Sequence, residues 1–133
     1  MTESHLRRLS VTMRGLEEAL LEVQRALAPS PELAMSVYQD DIPDSARPAI
    51  GELIGQLREE IRVVKARYGL GSEVISNRRR ISAKLTIISI DLTEATSRYM
   101  QAYGAIPKEE QGGLDPQISK IISLVDEVNK LVR

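Results

Sequence analysis

Apolar residues recur at alternating steps of three and four along four segments of the chain, which is the spacing of one face of an α-helix. These segments cover residues 6–27, 50–68, 81–106 and 114–132. Such a regular rhythm is typical of helices that pack side by side at shallow angles. The pattern therefore predicts an all-α fold, an antiparallel up-down-up-down four-helix bundle in a single domain over residues 1–133.

Proline and glycine residues predict the ends of the first two helices. The first helix should end before Pro29, because proline cannot continue a helix. The second should begin near Asp44 or Ser45 and end at Gly69, a residue suited to a left-handed helix cap. A long first connection therefore spans residues 29–43, with room for one short extra helix.

The third predicted helix is the longest, and a cap residue followed by proline predicts the start of the fourth. Ser72 is a candidate N-cap for the third, which should continue to Tyr103 and end at Gly104, a length of roughly 32 residues or about 48 Å. Asp115 followed by Pro116 is typical of a cap and a first-turn proline. We therefore expect the fourth helix to begin there.

Composition argues against several classes of function. The chain has no cysteine and a single histidine, His5, so it lacks the residues for a disulfide framework, a cysteine zinc site or paired Glu-x-x-His iron ligands. No serine or threonine stands in a recognisable pattern with a base, and no phosphate-binding glycine loop is present. The sequence predicts no catalytic residue, no metal ligand, no cofactor and no enzymatic activity.

Charge and hydropathy predict where such a protein works. The net charge is −1, which gives no overall attraction to nucleic acid or to a membrane. The chain has no Phe or Trp and four Tyr, which is unfavourable for stacking nucleic-acid bases. The longest apolar-dominated stretch, residues 85–92, is too short to cross a bilayer, and the first residues do not resemble a signal peptide. We expect a cytoplasmic protein without a transmembrane segment.

The third apolar segment is broader than one stripe. Ile87 and Ile90 lie off its main face, beside Ile88 and Leu92. A helix that is apolar over most of its circumference must be covered on more than one side. Either it lies deep in the bundle, or Ile87 and Ile90 form an interface. The function we expect is a non-enzymatic interaction module that forms a homo-oligomer or binds a helical protein partner.

Arginines form the second feature that suggests binding. Arg78, Arg79 and Arg80 are consecutive, and in an up-down-up-down bundle they would share one end with Arg7 and Arg8. All five lie in opening turns of their predicted helices, where positive charge is mildly unfavourable. The alternative function is therefore a regulatory protein that binds nucleic acid or phosphate through this basic end, although a solvated charge distribution accounts for the same residues.

Overall fold

The structure, a computed structural model, describes all 133 residues and contains α-helices and short 3-10 turns but no strand. The all-α prediction is confirmed. The helices are α1 (Glu3–Leu27), α2 (Arg47–Tyr68), α3 (Asn77–Glu94), α4 (Ser97–Met100) and α5 (Lys108–Val132). They form two compact units, unit 1 over Met1–Ser72 and unit 2 over Glu73–Arg133. The single four-helix-bundle domain stays a prediction.

Local signals explain the helix ends of unit 1. Thr2 caps α1 by accepting a hydrogen bond from the backbone of His5, whose ring in turn accepts one from the backbone of Thr2. Helix α1 ends at Leu27, before Pro29, as predicted. Helix α2 ends before Gly69, whose φ of 62° is the left-handed cap that was predicted.

The long first connection is also confirmed, but no extra helix forms between residues 29 and 43. A 3-10 turn at Asp44–Ala46 leads into α2 instead. Arg47 joins this connection to both helices. Its guanidinium donates to the carbonyl of Leu27 at 3.0 Å and forms ion pairs with Asp40 and Asp44. The start of α2 therefore lies beside the end of α1.

Unit 1 has a small apolar core between its two helices. Leu20 of α1 packs with Ile54 and Ile61 of α2, and all three are buried. Partly buried neighbours extend this cluster: Met13, Leu16 and Ile50. These residues are members of the stripes that the sequence predicts, so helical periodicity placed the core of this unit correctly.

Unit 2 pairs α3 with α5 through polar side chains as well as apolar ones. Ser82 Oγ donates to Asn129 Oδ1 at 2.8 Å, and Ser89 Oγ donates to Asp126 Oδ1 at 3.3 Å. The numbering rises along α3 as it falls along α5, so the two helices run antiparallel. The N-cap of α3 is Ser76, which accepts from the backbone of Arg79 at 3.2 Å, and not the predicted Ser72.

The prediction of one long third helix that continues to Tyr103 is wrong, because the helix ends at Glu94. Thr96 is extended, with ψ of 158°, and its hydroxyl donates to the carbonyl of Thr93 at 2.7 Å. Threonine hydroxyls compete in this way for the carbonyls that would continue a helix. The backbone N–H of Ser97 then donates to Asp115 Oδ1 at 2.8 Å, which starts α4 in a new direction.

The predicted start of the last helix at Asp115 is also wrong, since α5 begins at Lys108 and contains Pro116. Glu109 and Glu110 in its first turn complement the positive end of the helix dipole. Asp115 does act as a cap, but for α4, whose first residue is Ser97. The sequence correctly indicated that Asp115 accepts a hydrogen bond from a backbone N–H at the start of a helix. The N–H group belongs to Ser97, which is distant in the sequence.

Candidate interaction surface of unit 2

The interior of unit 2 is less apolar than the sequence pattern predicts. None of its apolar side chains is buried, and its two buried side chains are the polar Ser97 and Asn129. The register of α5 explains part of this result. Asn129 takes the inner position beside Ser82, which leaves its predicted core neighbour Val128 exposed.

Apolar side chains therefore remain on the outside of both long helices of unit 2. On α5 these are Ile121, Leu124, Val128 and Leu131. On α3 they are Ile87, Ile88 and Ile90. Exposed apolar side chains that occur singly are ordinary, but a group of this size on one helical pair indicates a surface that another helix can cover.

Ile87 and Ile90 are the two predicted interface residues, and Ile87 lies nearly opposite the serines of α3 that bond to α5. The exposed fractions of Ile87 and Ile90 are 59% and 55%. At about 100° per residue, Ser82 and Ser89, which bond to α5, lie roughly 140–160° around the helix from Ile87. Seven residues lie within about 60° of Ile87 and constitute what we call the outer face of α3. They are Arg80, Ala83, Lys84, Ile87, Ile90, Asp91 and Glu94.

Charge is distributed unevenly along this outer face. Arg80 and Lys84 lie towards its start, and Asp91 and Glu94 lie at its end. This order opposes the helix dipole, which favours acids at the start of a helix and bases at its end. Helix α3 has no acid in its first turn and no base in its last, whereas α1 and α5 have both.

The charged groups of the outer face have few partners within the chain. Lys84, Asp91 and Glu94 form no ion pair. Arg80 makes only a long hydrogen bond of 3.4 Å to Asn77 Oδ1. All four side chains are exposed, so they are free to pair with groups outside the chain.

A groove of about 800 Å³ lies beside the start of α3. Arg78 and Arg79 line it together with Arg133, which follows the end of α5, so three basic residues border one concave surface. The rest of its lining consists of Ser76, Ser82, Ala83, Thr86 and Ile87, and Ala83 and Ile87 also belong to the outer face of α3. Arg133 was not among the predicted binding residues, because its proximity to Arg78 depends on the pairing of α3 with α5.

The other predicted arginines do not line this groove. Arg7 and Arg8 are exposed on α1, where Arg7 Nη2 lies 3.5 Å from Glu3 Oε1. They belong to unit 1 and the consecutive arginines to unit 2. A shared basic end stays a prediction. Arg80 lies on the outer face of α3 and does not line the groove.

The carboxylate of Asp115 accepts two hydrogen bonds from Ser97. The hydroxyl and then the backbone N–H of Ser97 donate to its carboxylate and hold its pKa below the ordinary value of 3.8. Both residues join α4 to α5, so this contact supports the structure of unit 2.

Neither a metal-ligand cluster nor a membrane-spanning helix is found in this structure. No group of three or more His, Cys, Asp or Glu side chains is placed to hold a metal ion. None of the helices combines the length and the apolar character needed to cross a membrane. No protein-family model, no curated protein and no solved structure matches the chain.

Proposed function

We propose that this protein is a non-enzymatic interaction module that assembles with a second copy of itself through the outer face of α3. The observation that carries the proposal is the composition of this face. Two exposed isoleucines, Ile87 and Ile90, lie between a basic start and an acidic end. Such a face is apolar at its centre and electrostatically complementary to another copy of itself.

The arrangement that we propose for the long helices remains the antiparallel up-down-up-down four-helix bundle. Exposed apolar side chains that lie off the outer face, such as Ile88 of α3 and Leu124 of α5, would supply contacts within that bundle. Ile88 lies about 100° around α3 from Ile87. A bundle formed in this way therefore leaves the outer face of α3 available to a second copy.

Sedimentation velocity over a wide range of protein concentration tests self-association directly. The contact surface of a single helix is small, so we expect a dimer with a dissociation constant in the micromolar range or weaker. Changing Ile87→Asp should give a monomer, because it places an unpaired carboxylate at the centre of the apolar contact.

The matched control is Leu53→Asp in α2, since Leu53 is 56% exposed and Ile87 is 59% exposed. This control variant should still form the dimer, and circular dichroism should show the same helical content in both variants. A protein that stays monomeric at every concentration contradicts the proposal. So does native mass spectrometry that finds only complexes with a different protein.

The groove supports a second candidate, binding of nucleic-acid phosphates by Arg78, Arg79 and Arg133. Guanidinium groups bind phosphate oxygens in bidentate geometry, and such binding weakens steeply as salt is raised. Fluorescence anisotropy with labelled DNA and RNA should then detect salt-sensitive binding that is lost in the double variant Arg78→Ala/Arg79→Ala.

Arg62→Ala/Arg67→Ala in α2 removes the same charge and is the control for this experiment. Equal loss in both double variants, or no binding at low salt, would eliminate the phosphate-binding candidate. A cytoplasmic location accompanies either function as a proposal, and fractionation of cells that produce the tagged protein tests it.

A further inference from the structure

The charge order of α3 is unfavourable for a helix on its own. Arg80 and Lys84 lie towards the positive end of the helix dipole, and Asp91 and Glu94 lie at the negative end. Each pair of like charges also lies three or four residues apart, where like charges repel. A partner that brings acids to the start of α3 and bases to its end would remove both penalties.

A second α3 that runs in the opposite direction is such a partner. Arg80 and Glu94 each lie seven residues from Ile87, which is about 10.5 Å along the helix axis. If Ile87 packs against its own copy, Arg80 of one chain therefore lies opposite Glu94 of the other, and the twofold symmetry repeats the contact. Lys84 and Asp91, three and four residues from Ile87, approach each other in the same way.

We propose that two copies of the chain pair their α3 helices antiparallel, centred on Ile87, with reciprocal Arg80–Glu94 ion pairs that set the register. This inference rests on the proposed self-association and adds its orientation and its charged contacts. The opposed helix dipoles favour the same orientation. A parallel pair would instead place Arg80 beside Arg80 and Glu94 beside Glu94.

Reversing the charges tests the proposed contacts. Arg80→Glu and Glu94→Arg should each weaken the dimer by about tenfold, because two attractions become two repulsions. The double variant Arg80→Glu/Glu94→Arg restores both attractions and should dimerise like the unmodified protein. A mixture of the two single variants should form the heterodimer for the same reason.

Lys120→Glu and Glu127→Arg make the same charge changes at exposed positions of α5 and should leave the dimer unchanged. Sedimentation velocity on the full chain gives the affinity of each variant. Single variants that bind as tightly as the unmodified protein would overturn the register while leaving self-association intact.

Disulfide crosslinking reports the orientation independently. The chain contains no cysteine, so each introduced thiol can pair only with its introduced counterpart. A disulfide requires Cα atoms within about 7 Å. Ile87→Cys should therefore crosslink to itself. Arg80→Cys and Glu94→Cys should crosslink when mixed, and neither should crosslink alone.

The possible outcomes separate the two proposals. A dimer that Ile87→Asp dissociates, but in which Arg80→Cys crosslinks to itself, retains the proposed function and refutes the antiparallel pairing. A protein that is monomeric at every concentration refutes both. Crosslinking only in the mixed sample, with rescue by the double charge reversal, establishes the antiparallel register.

Discussion

The two units are built from similar helical patterns but bury different side chains. Unit 1 covers Leu20, Ile54 and Ile61 between α1 and α2. Unit 2 buries Ser97 and Asn129 and leaves Ile87, Ile88 and Ile90 exposed. An apolar stripe thus indicates that a helix will be covered, but it does not determine which side of the helix its neighbour contacts.

The helices also differ in the charges at their two ends. Helices α1 and α5 have acids in their first turn and a base in their last, which stabilises each helix by itself. Helix α3 has the opposite order along its outer face. Helix α3 therefore lacks the charge complementarity to its own dipole that α1 and α5 have.

The largest expected difference between the units lies in their cores. Leu20→Ala should destabilise α1 and α2 by about 2–5 kcal/mol, because Leu20 is only 5% exposed and its removal leaves a cavity. Leu85→Ala in α3 should cost less than about 2 kcal/mol, since Leu85 is already partly exposed. Amide hydrogen exchange of each helix measures both effects, and equal losses would refute the contrast.

An intermediate effect is expected at the polar contact inside unit 2. Ser82→Ala removes the donor to the buried Asn129 oxygen and should cost about 1–3 kcal/mol. The double variant Ser82→Ala/Asn129→Leu replaces both partners by apolar groups and should recover most of this loss. Urea unfolding of the two variants measures the difference. If the double variant were less stable than Ser82→Ala alone, Asn129 would stabilise unit 2 through more than its hydrogen bond with Ser82.

The smallest effect is expected at Asp115, and it depends on pH. The hydrogen bonds from Ser97 lower the folded pKa below the unfolded value near 3.8. Their contribution to stability is therefore complete above that value and is lost as the pH falls through the lower folded pKa. Asp115→Asn should remove this dependence, and urea unfolding at pH values above and below 3.8 tests it. Parallel pH profiles for the two proteins would contradict the assignment.

The exposure of part of the outer face of α3 could be predicted, while its role as an interface stays a prediction. Ile87 and Ile90 were identified from the sequence because they lie off the main stripe, and they are exposed. Asp91 and Glu94 form the acidic end of the outer face and were not predicted to bind a partner. A helical projection centred on Ile87 would have shown that they lie on the same face as the two isoleucines. Arg133 gave no such signal, since only the pairing of α3 with α5 brings it to the groove.

Sequence alone determined the features that depend on a few neighbouring residues. The all-α fold follows from the spacing of apolar residues. The end of α1 before Pro29 and the left-handed cap at Gly69 follow from backbone restrictions that act locally. The tertiary structure decided which backbone N–H group Asp115 caps and which side of α5 faces inward. These features depend on hydrogen bonds between distant residues, Ser97 with Asp115 and Ser82 with Asn129, which local periodicity does not encode.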